Sequence, residues 1–440
     1  MSEILERLDS TPVTVLHAFA ALLCAIGFGI DLMEISLGNA LSAVFSAPPY
    51  TLSPRPLAWL LSSVYVGAVI GAPLLGWTAD RYGLRRTLMV TLFWLALTSS
   101  LAAASASPVL LTVFRFLSGV ALGAYPPLMI AYLTAMAPPR FRGVVIFWVC
   151  GAAYLAPPVA IFMIRWLTPL HPFGIEGWRW PFAVAGIAAF VVGVAFGRIP
   201  ESARWLISMG RAEAAAEVCR RFQHSRPLWS GAVTGGEARA RNGTSHSVTK
   251  AQFNRRFAFV AALYFLHPWA LAAFPLLTGP ILLARGYNLG DTLLYVGLAT
   301  FGPAVSTLAA GPMIDRIERR VSLSFCCLLM LLAVVIFFSS KGSVLLTISV
   351  VSFGVGVALY SAIMTMYGAE LFPTSSRARA TASAWAGNRI ASVLVPIVML
   401  PLLHQAGALT IAIIISLVLI GTIIFITLWG PRGAAGGVVE

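Results

Sequence analysis

Gly76-Trp77-Thr78-Ala79-Asp80-Arg81-Tyr82-Gly83-Leu84-Arg85-Arg86 and Gly311-Pro312-Met313-Ile314-Asp315-Arg316-Ile317-Glu318-Arg319-Arg320 are one motif written twice. Gly76, Asp80, Arg81 and Arg85 fall on Gly311, Asp315, Arg316 and Arg320 at a constant offset of 235 residues. Pro138 and Arg142 fall on Pro373 and Arg377 at the same offset. Agreement between two separate loops makes the chain a duplication. Each copy of the motif joins two long apolar runs, so the duplicated unit is embedded in a membrane.

Composition agrees. Of 440 residues, 59% are apolar and 10% charged, with a mean hydropathy of +0.86, whereas soluble domains carry about 25% charge. A bilayer core of about 30 Å needs about 20 apolar residues per helix. Twelve runs of that kind occur, at 15–43, 57–78, 87–106, 109–134, 144–167, 180–198, 257–283, 291–311, 321–339, 343–368, 379–403 and 408–429. The longest polar interval, Pro200 to Arg256, divides them six and six. The expected fold is an all-α polytopic membrane protein with twelve transmembrane helices in two pseudo-symmetric six-helix bundles. Its parts are 1–199, a cytoplasmic central loop at 200–256, and 257–440. Duplicated bundles of this kind are a transporter architecture with the substrate site between the halves.

Thirty Lys and Arg against sixteen Asp and Glu give +14, which would suit nucleic acid if the charges formed a patch. They do not. With the N-terminus inside, 23 of the 30 basic residues fall in inside segments, 5 in outside segments, and Arg115 and Arg389 lie within spans. The basicity is therefore a topology signal that places both termini in the cytoplasm, and a match to anionic headgroups. The five cysteines have no metal-ligand spacing, so neither a metal site nor a disulfide framework is expected. Residues 1–12 lack the basic start and small-residue cleavage site of a signal peptide, and none is expected to be removed. The sequence Asn242-Gly243-Thr244 fits a glycosylation site but lies in the inside loop.

The motifs resemble those of the major facilitator superfamily, and five stretches are similar to sugar porters within it. They are Phe28-Gly29-Ile30-Asp31 with Ile35-Ser36, Arg115 to Gly123, Gly177 to Phe182, Pro200 to Leu206 with Gly210-Arg211, and Glu370 to Thr374 with Arg377. Other stretches depart from that pattern. The seventh span reads Tyr264-Phe265-Leu266-His267-Pro268-Trp269-Ala270 and the tenth Leu359-Tyr360-Ser361-Ala362-Ile363-Met364-Thr365-Met366-Tyr367, without the residues sugar porters place on a hexose. The eleventh, Arg377 to Ile390 with Pro396, resembles the aromatic-acid and metabolite proton symporters of the same superfamily.

Two acids lie deep within a span, Asp31 and Glu34, and an ionisable group at membrane depth is a functional candidate because it costs about 2.5–3.5 kcal/mol or more. They share one helix face. The resemblance implies that Asp31 pairs with Arg115 of the fourth span and couples a proton to the conformational equilibrium; the alternative is a static ion pair. Glu34 is either a second proton site or a substrate contact. Arg389, near the midplane of the eleventh span, suits an anionic substrate, because guanidinium binds carboxylate bidentately; alternatively it pairs with another helix. His267 can titrate or donate to a substrate oxygen, or simply bond a neighbouring helix. Trp385 and Asn388 are candidates for stacking and orientation, with Tyr360 and Tyr367 behind them. The resemblance also implies a cytoplasmic gate in which Asp80 pairs with Arg142 and Asp315 with Arg377. Arg81, Arg85, Arg316, Arg320 and Glu370 complete it, while the counterpart of Glu370 in the first half is Ala135.

Only Lys250 and Lys341 are lysines, followed by Ala251 and Gly342, so the chain has no phosphate-binding G-K-[ST] loop and transport must run on a gradient. No cofactor is expected. The expected function is proton-coupled uptake of a small organic anion or polar metabolite in the cell's inner (plasma) membrane, by a monomer whose partners are substrate, protons and lipid. A proton-coupled drug or metabolite efflux antiporter and a sugar:proton symporter are the alternatives. A membrane enzyme would need polar catalytic clusters at a membrane face, and the outside loops carry almost no carboxylates beyond Glu176 and Asp291.

Overall fold

The computed structural model describes residues 10–138, 141–229, 250–310, 318–340, 342–372 and 374–431. It is nearly all helix. The first six spans are α1 (Val15–Val44), α2 (Pro54–Tyr82), α3 (Leu84–Ala103), α4 (Pro108–Leu122 and Tyr125–Met136), α5 (Arg142–Ala153 and Ala156–Leu170) and α6 (Arg179–Phe196). The next four are α7 (Lys250–Leu271 and Ala273–Ala284), α8 (Leu289–Ala299 and Phe301–Ala310), α9 (Arg319–Ser339) and α10 (Ser343–Glu370). One run, Thr374–Trp429, holds α11 and α12, separated at Gly407, whose φ of 79° no helix accommodates. Ten of the helical stretches are long and apolar enough to cross a bilayer; the divided α8 and the bend at Gly407 bring the spans to twelve.

The breaks within spans follow from proline. Pro126 and Pro127 open the second piece of α4, and Pro157 and Pro158 lie at the start of the second piece of α5. Lacking N–H groups, they suit a helical first turn and cannot continue the preceding one. The described part of the central loop holds short helices at Ala203–Ser208 and Ala212–Gln223. Strand β1 (Val13–Thr14) pairs antiparallel with β2 (Pro227–Trp229).

The duplication reaches into the packing. A Cβ on Gly67 of α2 would lie 2.1 Å from the Phe116 carbonyl oxygen of α4, next to Val120 N and Gly119 C. A Cβ on Gly302 of α8 would lie 2.5 Å from Val355 N of α10, next to Gly354 C and the Val351 carbonyl oxygen. Every atom in the second set belongs to a residue 235 positions after its counterpart. Small residues at such crossings let backbones approach in lipid, where packing rather than water drives association. Gly67→Ala or Gly302→Ala must therefore separate two backbones, an overpacking cost of about 1–3 kcal/mol. Each is expected to lower the thermal transition of detergent-purified protein, whereas Gly421→Ala, which meets nothing within 4 Å and gains helix propensity, does not lower it.

By contacts the chain gathers into two units, one of Met1–Ile35, Gly67–Ala156 and Pro181–Arg241, the other of Ser36–Val66, Pro157–Trp180 and Asn242–Glu440. These units cut across the two sequence halves. In the second unit, parts of α1, α2 and α5 are bound to the later spans. Ser42 Oγ donates to the Leu276 carbonyl at 2.6 Å, Ser62 Oγ to that of Val393 at 2.9 Å, and Arg165 Nε to that of Gly290 at 2.9 Å. These are the ends that the charge pattern assigns to the outside.

Candidate functional site

The acids of α1 lie in a fully buried polar cluster within the first unit. Arg115 Nη1 is 3.3 Å from Glu34 Oε2, with both side chains at 0% exposure, and donates to the Glu34 main-chain carbonyl at 3.0 Å. Ser99 of α3 donates to Glu34 Oε1 at 2.5 Å. The guanidinium also lies 5.7 Å from the ring centroid of Phe182 on α6. Arg115 thus meets Glu34, which the family resemblance does not cover. Asp31, one turn away, is 1% exposed. Ser99 carries no signal in the sequence: a serine in an apolar span usually bonds its own helix.

A second cluster forms in the later spans. Asn388 Nδ2 of α11 is 3.1 Å from His267 Nδ1 of α7, and His267 Nε2 is 3.0 Å from Ser361 Oγ of α10. Ser361 donates onward to the Val357 carbonyl at 2.8 Å. Asn388 donating to Nδ1 leaves the proton on Nε2, so a neutral imidazole completes the chain. Tyr360 packs beside His267, with centroids 5.6 Å apart. Trp385, 39% exposed, meets Tyr264 edge-on at 5.1 Å, and the Arg389 guanidinium lies 5.7 Å from its ring centroid. His267, Asn388 and Tyr360 thus converge, with Trp385 and Arg389 alongside. Tyr367 does not join them. Two turns beyond Tyr360, it donates to the Pro431 carbonyl at 2.6 Å and serves the end of α12.

The cytoplasmic motif residues cap helix ends. Glu201 accepts from the main-chain N–H groups of Arg85 at 2.9 Å and Arg86 at 3.4 Å, at the start of α3 where its charge is favoured. Arg85 donates to the Ile199 carbonyl at 2.8 Å and that of Gly197 at 3.3 Å, beyond α6. Arg320, its repeat counterpart, donates to the carbonyls of Thr427 at 2.9 Å and Gly430 at 3.0 Å, at the end of α12. Arg81 lies over the rings of Trp77 and Tyr82. Asp80 is exposed, its carbonyl accepting from Trp205 Nε1 at 2.9 Å, and Arg142 Nε donates to the Ala137 carbonyl at 3.0 Å. Glu370 binds Arg319 at 3.1 Å. Asp315, Arg316 and the side chain of Arg377 lie outside the described residues.

One polar cluster was not anticipated from the sequence. In the loops before α2 and before α6, Tyr50 donates to Glu176, Trp178 Nε1 donates to Tyr50 Oη at 3.0 Å, and Arg179 Nε donates to Glu176 Oε2 at 2.6 Å. Burial raises the Glu176 carboxyl, but the bonds from Tyr50 and Arg179, with the charge of Arg179, outweigh it and hold Glu176 below its ordinary value. Burial and the bond to Glu176 push the Tyr50 phenol up to about 12. A depressed carboxylate contributes stability above its unfolded value, about pH 4.3, that is lost as pH falls through the lower folded value. Glu176 is 36% exposed, which limits the effect to at most about 1 kcal/mol. Glu176→Gln should lower the melting temperature at pH 7 by at most about one degree, with the difference vanishing at pH values low enough to protonate Glu176 in an intrinsic-fluorescence melt.

Twelve spans in a duplicated arrangement, with a buried acid–arginine pair in one half and a hydrogen-bonded histidine cluster in the other, define a polytopic membrane transporter rather than an enzyme. The chain belongs to the Major Facilitator Superfamily, whose family model matches residues 18–396 and again 260–438. It is 22% identical over 420 residues to the niacin transporter NiaP of Acinetobacter baylyi, covering 90% of each chain. It is 26% identical to the inner membrane metabolite transport protein YgcS of Escherichia coli, covering 98% of this chain and 94% of that one. An arabinose-proton symporter of Bacillus subtilis is 27% identical over 48% of this chain and 47% of its own. Among solved structures, the xylose transporter XylE of E. coli, in a partially occluded inward-open conformation, shares the fold with a TM-score of 0.74 and 19% identity, over 96% of this chain and 99% of that one.

Proposed function

We propose that this chain is a proton-coupled symporter that takes up a small organic anion or polar metabolite across the plasma membrane, acting as a monomer with both termini in the cytoplasm. Two six-span halves, 1–199 and 257–440, joined by 200–256, alternate access by moving against one another. The observation that carries the reading is the buried Glu34–Arg115 pair with Asp31 one turn away. Protonating an acid of such a cluster changes what the arginine can hold, and so biases a two-state equilibrium. Arg389, Asn388, Trp385, His267 and Tyr360 receive the substrate. Arabinose and xylose transporters among the similar proteins favour a sugar:proton symporter as the second reading.

An Asp80–Arg142 pair, together with Asp315–Arg377, belongs to the outward-open state, while the bonds of Ser42, Ser62 and Arg165 belong to the outward-closed one. A panel of organic acids and sugars, screened by thermal shift on purified protein, tests the substrate class, since a ligand of the native state raises its stability. Stabilisation by carboxylates and not by neutral sugars supports the first reading; the reverse pattern supports the second.

A further inference from the structure

On α1, Gly27, Asp31 and Glu34 form one stripe, because residues three and four apart share a helix face. α4 meets that stripe twice. Arg115 binds Glu34, and ten residues further along the chain Tyr125 lays its hydroxyl on Gly27, where a Cβ would lie 1.8 Å from Tyr125 Oη. Successive contacts on α4 thus run backward along α1, and they bracket Asp31. Tyr125 is 1% exposed, and its hydroxyl has no hydrogen-bond partner among the described residues. An orphaned buried hydroxyl is costly and calls for an explanation.

Local structure holds it there. α4 is interrupted at Gly123 and Ala124, and Tyr125 opens the second piece ahead of Pro126 and Pro127. Its direction is therefore set separately from that of Arg115. The polar groups beside the stripe include Cys24, one turn earlier on α1 itself, Ser99 on α3, and Arg115 and Tyr125 on α4. Beside the stripe, a Cβ on Gly29 would meet Ala153 and Ala156 of α5, and α6 contributes the Phe182 ring over Arg115.

We propose that Tyr125 is a positioning residue of the proton site, its phenol donating a hydrogen bond to the Asp31 carboxylate whenever Asp31 is deprotonated. The inference rests on the proton-coupling reading above. A donor to the charged form favours that form, and a charge-assisted bond in a buried setting is among the strong ones. The proton stays on the phenol throughout; Tyr125 sets the pH at which Asp31 gives up its own.

Infrared difference titration of the full-length protein in lipid tests this without relying on transport, with the Asp31 carboxyl band assigned by its loss in Asp31→Asn. Tyr125→Phe should move the midpoint of that band up by about one pH unit or more. 3,5-Difluorotyrosine at position 125, a stronger donor of nearly the same shape, should move it down, which a merely structural ring would not do. Equal midpoints in wild type and the difluorotyrosine protein overturn the proposal, as does the absence of a titrating Asp31 band. If the midpoints move as expected but uptake ignores the pH gradient, the Tyr125–Asp31 bond stands and the coupling reading fails.

Discussion

Asp31→Asn is expected to abolish uphill, pH-driven uptake while leaving substrate binding and counterflow exchange measurable. A neutral amide imitates the protonated acid permanently, so the carrier still alternates but no longer exchanges a proton with either side. Glu34→Gln should be more damaging to the fold. Glu34 holds Arg115 through its carboxylate and its main-chain carbonyl, and it also receives Ser99. Breaking one side of a buried pair costs about 3–5 kcal/mol, because the remaining charge stays buried. A lowered melting temperature in Glu34→Gln with normal stability in Asp31→Asn would separate a structural pair from a coupling acid. Concentrative uptake in proteoliposomes that survives Asp31→Asn would move the coupling role to Glu34 or remove it.

Arg389→Lys is expected to weaken binding of a carboxylate substrate at least about tenfold, the loss of one good charged hydrogen bond. The charge is kept, but a point charge cannot reproduce the fork that grips both oxygens. Arg389 also lies over Trp385, an arrangement that favours guanidinium over ammonium and holds the group in place. Affinity measured by calorimetry, or by substrate-induced quenching of tryptophan fluorescence, gives the answer. Unchanged affinity in Arg389→Lys, or a neutral sugar as the best ligand, would make Arg389 a structural residue.

What the sequence made legible was whatever repeats or whatever lipid demands. Apolar length located the spans to within a few residues at most ends. The 235-residue offset, read from loop motifs, reappears in the glycine crossings of α2 on α4 and α8 on α10. His267 and Asn388 were each legible as polar candidates at membrane depth, but that they bond one another appears only in the structure. Other features depend on rotation and reach. That Glu34 meets Arg115 turns on how α4 is set against a stripe that carries both Asp31 and Glu34, and spacing alone does not fix that. Tyr360 and Tyr367 look alike as aromatic residues in one helix, yet two turns separate a neighbour of His267 from a residue that bonds the segment just after α12. Glu176 gives no sign of its role, because Tyr50 reaches it from a loop 126 residues earlier.

The central claim, proton and substrate moving together through the acids of α1, is tested most directly by external pH in lightly buffered proteoliposomes. With no imposed gradient, addition of a substrate found in the thermal-shift panel should make the outside medium more alkaline as protons follow substrate inward. Asp31→Asn should abolish that signal without abolishing exchange. Acidification on adding substrate would show antiport, and substrate entry with no proton movement would show uncoupled transport; either result contradicts the account.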